Sequence, residues 1–91
     1  MIFNTIICIL TELEEGQAAV VEEVHLETRV AHRLFHLGVS PGVRIKPMRR
    51  GPAGNLRVYH VEGTDVALRG ETAKHIVVRR LAIAAAESGG D

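Results

Sequence analysis

The apolar positions of this chain fall in short groups, each closed by glycine, proline or a polar cluster. Residues 17–24 are rich in small and β-branched side chains and predict a strand with Ala19 and Val21 on one face. Residues 43–50 alternate, with Val43 and Ile45 facing one way and Arg44 and Lys46 the other. Pro47 has no N–H to give a ladder, so it suits an edge or a bulge. The turn cluster 51–55 leads into a second arm, 57–62, where Tyr59 and Val61 share a face. Gly63-Thr64-Asp65 predicts a hairpin turn and Val66-Ala67-Leu68 a short strand. Residues 70–75 predict about one helical turn, and 76–80 a last strand with Ile76 and Val78 inward.

Between these strands the period changes from 2 to 3.6. Over 28–37, Val30, Leu34 and Leu37 share one arc of a helical wheel, with Ala31 and Phe35 at its edge. Arg29, His32, Arg33 and His36 occupy the opposite arc. Thr28 is placed to cap this helix, and Gly38 supplies the left-handed residue that ends it. Pro41-Gly42 then predicts a type II turn into the strand that starts at Val43. The ends of the chain are less defined. Residues 1–10 carry Ile2, Phe3, Ile6, Ile7, Ile9 and Leu10, a run that fits a strand, a short helix or a sticky surface segment. Residues 11–16 are a polar connector, 82–86 predict a frayed helix, and 88–91 a loose tail.

These elements predict a mainly β domain, a small and partly open barrel of about five strands with one short α-helix and one further helical turn. The expected organisation is an apolar N-terminal segment (1–10), the barrel (11–81) and a C-terminal tail (82–91). The apolar segment either closes the barrel or makes an oligomer or partner contact, because so much apolar surface must be covered by something.

Composition narrows the function. With 91 residues there is room for one domain. Aromatics make up 3%, so the core must be built from Val, Leu, Ile and Ala. Eleven basic residues balance eleven acidic ones. A nucleic-acid partner calls for a basic excess to neutralise phosphates, so none is expected, although Arg49-Arg50 and Arg79-Arg80 form local basic spots. The one cysteine, Cys8, permits no internal disulfide, which fits a reducing, cytoplasmic setting. The apolar start lacks a positive flank and is shorter than the roughly 20 residues that span a bilayer.

The residues that bear chemistry are sparse. His32 and His36, four apart on a helix, can face one metal, but Arg29 and Arg33 beside them oppose it. His25 with Glu22, Glu23 and Glu27 forms an oxygen–nitrogen set of the kind a divalent transition metal (Fe, Mn or Zn) accepts. His60, on an outward strand face with Glu62, and His75 read as surface residues. Cys8 lies in an apolar run and reads as a small hydrophobe, with no base near it in sequence. The 51–54 turn lacks the Lys-Ser/Thr pair of a phosphate loop. No nucleophile–base or acid–base pair follows from the spacing, so an enzyme is not expected.

Several of these segments together carry a resemblance. Leu13-Glu14-Glu15-Gly16-Gln17, then Arg33-Leu34 through Leu37-Gly38 with Pro41-Gly42, then Gly51-Pro52-Ala53-Gly54, and finally Val66-Ala67-Leu68-Arg69 with Ala73 and Ile76-Val77-Val78, occur in one order. That order resembles the ferrous-iron-transport protein A (FeoA) domain over about 11–80. The resemblance implies an SH3-like barrel and a cytosolic accessory protein of bacterial ferrous iron uptake. Its implied partner is FeoB, the membrane transporter with a cytoplasmic GTPase domain. The chain departs from the family at the central turn. There Pro52-Ala53-Gly54-Asn55-Leu56 stands where Pro-Leu-Gly-Asp-Pro is usual, and the missing second proline frees a backbone N–H.

Overall fold

The computed structural model describes residues 6–50 and 55–81. In chain order these form β1 (Ile6–Ile9), a 3-10 turn (Leu10–Glu12), β2 (Ala19–Val24), α1 (Thr28–His36), β3 (Arg44–Arg50), β4 (Leu56–Val61), β5 (Thr64–Arg69), α2 (Gly70–Ala73) and β6 (Ile76–Arg80). The six strands among the described residues make one antiparallel sheet, in the order β1-β6-β2-β3-β4-β5. Its two edges are drawn together. The 3-10 turn that continues β1 touches α2, and α2 touches β5. The sheet therefore curls around its apolar face, as a barrel does. The glycine-rich turn 51–54, the first five residues and the alanine-rich 82–91 segment lie outside the described residues.

The predicted alternation is what builds the core. Ala19 and Val21 from β2, Ile45 from β3, Tyr59 and Val61 from β4, Val66 and Leu68 from β5, and Ile76 and Val78 from β6 are all buried. Leu10, Leu13, Leu34, Val39 and Ala73 fill the ends. Removing a side chain of Leu or Ile size from water contributes about 1.5–3 kcal/mol, so these positions supply the main drive to fold. Among the described residues the core holds no buried polar or charged residue.

The described part of the apolar start, residues 6–10, joins the sheet and contributes to this core. Residues Ile6–Ile9 pair along the outer side of β6, with Cys8 opposite Val78. Leu10 is fully buried, and Cys8 packs against the core cluster. Ile7, by contrast, is 57% exposed.

Pro47 lies at an irregularity, as its missing N–H requires. The β3–β4 register shifts between Pro47 and Arg50, and β2 pairs with β3 only at Ala19 and Val20, leaving this part of β3 off the central ladder. A second register shift lies on β2 between Val21 and Glu23, which leaves Glu22 as the extra residue opposite β6.

Two turns differ from the sequence reading. The β4–β5 hairpin turns on Glu62 and Gly63, with φ of 48° and 86°, so Thr64 and Asp65 belong to β5 rather than to the turn. Positive φ at both central residues matches the right-handed strand twist in a two-residue hairpin. At the start of α1, Glu27 takes the extended cap position (φ −61°, ψ 155°) and makes no side-chain cap bond, while Thr28 is the first helical residue. Thr28 is one position too late to act as the cap.

Candidate functional site

The C-terminal end of α1 and the turn after it are fixed by backbone hydrogen bonds. The Val39 N–H donates to the Leu34 carbonyl at 2.9 Å, and the Gly38 N–H to the Phe35 carbonyl at 3.0 Å. With Gly38 at φ 99°, this is a Schellman stop, and Leu34 and Val39 are both buried as that motif favours. Ser40 then accepts from the Val43 N–H at 3.1 Å around Pro41-Gly42, with Gly42 at φ 93°, a type II turn. The wheel placed Leu34 correctly but not Leu37. Leu37 is 47% exposed and Phe35 59% exposed, because the chain leaves the helix at Leu37 before that side chain can reach the core. An open cleft of about 370 Å³ runs between α1 and the turn, lined by Val24, Ala31, Phe35, Val39 and Pro41, and also by His32.

The acidic set proposed around His25 does not assemble. Glu22 is taken by Arg79, whose Nε donates to its carboxylate. His25 Nε2 lies 2.6 Å from Glu23 Oε1, and both side chains are exposed. Glu27 caps α1 through its backbone and is exposed. Among the described residues no three His, Cys, Asp or Glu side chains gather as a metal cage would need.

His32 and His36 do come together. Their rings are 4.5 Å apart, centroid to centroid, and inclined at 78°. Both are exposed on α1, with Phe35 against His36 at 5.9 Å. His75 is exposed, and its carbonyl accepts from the His25 N–H.

Sequence reasoning missed a third histidine pair. His60 Nδ1 lies 2.8 Å from Asp65 Oδ1, and His60 and Glu62 line the same hollow. The signal was available, since a two-residue Glu62-Gly63 turn puts His60 directly across from Asp65. Beside them Arg44 and Lys46 line that shallow hollow of about 290 Å³.

The basic spots are also modified. Arg79 is neutralised by Glu22. Arg57 donates from Nη1 to the Leu13 carbonyl at 2.9 Å and lies 5.9 Å from the centre of the Tyr59 ring. Its work is to tie β4 to the connector before β2, and nothing in the local sequence indicated that.

The FeoA domain model matches residues 8–80, nearly the whole described barrel. The chain belongs to the FeoA family. FeoA proteins belong to ferrous iron transport, and solved structures extend the match. The FeoA protein of Chlorobium tepidum is 34% identical, with a TM-score of 0.76, covering 81% of this chain and 70% of that one. The FeoA of Stenotrophomonas maltophilia, solved with zinc, is 36% identical with a TM-score of 0.65, covering 77% of this chain and 87% of that one. It is described as a procaryotic SH3 domain protein and a candidate activating factor of ferrous iron transport. A manganese-dependent transcriptional repressor matches 82% of this chain with a TM-score of 0.72 at 21% identity, which shows a shared fold alone. No match is found among curated proteins. The barrel seen here is thus the SH3-like one that the family resemblance implied.

Among the described residues no helix is long and apolar enough to cross a membrane.

Proposed function

We propose that this chain is a cytosolic accessory protein of bacterial ferrous iron transport, a non-enzymatic module that docks on a FeoB-type transporter with a cytoplasmic GTPase domain. The observation that carries this reading is the extent of the FeoA match. It spans 8–80, and among the described residues Gly38 and Gly42 serve turns while Leu13, Leu34 and Leu68 serve the core. What is left for function is surface, and that surface includes exposed apolar side chains at Ile7, Phe35, Leu37 and Met48. Exposed apolar groups suit protein contact more than bond chemistry. The module would act by binding one transporter state more tightly than another, since equal affinity for both shifts nothing. The test is capture of the chain on the detergent-solubilised transporter from the same bacterium. Retention is expected; absence of any association in both iron-limited and iron-replete preparations would count against docking.

A second reading is that the chain binds a divalent transition metal itself. It is favoured by the zinc complex of the S. maltophilia relative and by the contact between His32 and His36 in this chain. Calorimetric titration with Zn(II), Mn(II) and Fe(II) tests it. Saturable binding of any of them supports it, and no binding tighter than about 1 mM removes it.

A further inference from the structure

We infer that His32 and His36 form a two-nitrogen site on α1 for a borderline divalent cation, Cu(II), Ni(II) or Zn(II), and not for Fe(II) or Mn(II). This names a site and a cation class for the second reading above, and rests on it. The first ground is geometry. The ring centres lie 4.5 Å apart with their planes inclined at 78°, so the two imidazoles are immediate neighbours on α1. The spacing of four residues sets this, because such pairs stack on one helix face. The helix is held in place at its far end by the Leu34–Val39 hydrogen bond.

The second ground is availability. His25 and His60 each face a carboxylate, Glu23 and Asp65 respectively. Among the described residues His32 and His36 have no such partner, and each is exposed, so their nitrogens are open to a ligand from solvent.

The third ground is charge. Arg29 and Arg33 lie one turn before His32 and His36 and repel a cation, but both are exposed, and their long side chains can carry the charge away from the rings into water. His36 is the last helical residue, and His32 stands one turn earlier, so the pair sits at the negative end of the α1 dipole, which favours a cation.

The chemistry then selects the metal. Two imidazoles, with no carboxylate or thiol gathered beside them among the described residues, rank divalent ions in the order in which Cu(II), Ni(II) and Zn(II) lie above Fe(II) and Mn(II). The site is thereby distinct from a carrier of ferrous cargo. Two nitrogen donors leave the remaining coordination positions to water or to a donor from another molecule.

The test is titration of the full chain with Zn(II), followed by heteronuclear NMR of the histidine rings. Saturable binding of one equivalent, with the largest shifts at His32 and His36, is expected. H32Q and H36Q should each weaken it by about tenfold or more, while H25Q and H60Q leave it unchanged. Both lost side chains are exposed, and an unaltered urea midpoint verifies that the variants fold. Zn(II) binding that survives H32Q and H36Q would overturn this site while leaving the second reading standing. No Zn(II) binding tighter than about 1 mM in the native chain would remove both. Mn(II) binding as tightly as Zn(II) would overturn the cation preference.

Discussion

Arg79 on β6 and Glu22 on β2 are joined side chain to side chain, Nε to carboxylate oxygen at 2.5 Å, at the place where Glu22 is the extra residue of a bulged strand. The bulge brings the carboxylate beside the neighbouring strand, where it pairs with Arg79 and not with His25. Both side chains are a little over one-third exposed, so solvent screens the pair. E22Q should cost no more than about 1 kcal/mol of stability, measured by urea denaturation, and should leave Zn(II) binding unchanged. A clear loss of metal affinity in E22Q would place the metal near His25 after all.

Gly38 gives a second prediction. Its φ of 99° is a conformation that L side chains rarely adopt, and an added Cβ would meet Val61 Cγ1 at an ordinary 3.7 Å. The cost of G38A is therefore backbone strain and not a clash, about 1–2 kcal/mol. A lower urea midpoint with an unchanged m-value is the expected result.

The N-terminal segment divides into a structural and a surface part. Leu10 is fully buried while Ile7, on β1, is 57% exposed. L10A should lose about 2–5 kcal/mol, a large fraction of the stability of a domain this size. I7S should change stability by no more than about 0.5 kcal/mol. If docking or self-association uses this edge, I7S will lower it in sedimentation or capture experiments without unfolding the chain.

The two leucines of α1 should behave unequally. Leu34 is 4% exposed and Leu37 is 47% exposed. L34A should cost about 2–4 kcal/mol and L37A under about 1 kcal/mol. Equal losses in chemical denaturation would mean that Leu37 packs against the barrel in solution.

The elements whose reasons are local were legible in the chain. The alternation of Ala19 with Val21, Tyr59 with Val61 and Ile76 with Val78 predicted which side chains are buried, because a strand presents every second residue to one face. Gly38 and Pro41-Gly42 predicted the helix stop and the turn, because each needs a backbone geometry that few residues adopt. The His32–His36 contact also followed from spacing on one helix.

Tertiary structure decided the rest. Periodicity could not say that residues Ile6–Ile9 pair with β6, since an apolar run has the same pattern in a strand, a helix or a surface patch. It put Leu37 with Leu34, yet burial depends on where the chain turns away from the sheet, and it turns at Gly38. The partners of Glu22, His60 and Arg57 come from strand order, bulge and hairpin register, which bring together residues 57, 5 and 44 positions apart. A carboxylate's neighbours in sequence therefore do not determine whether it is free to hold a metal; its neighbours across the sheet do.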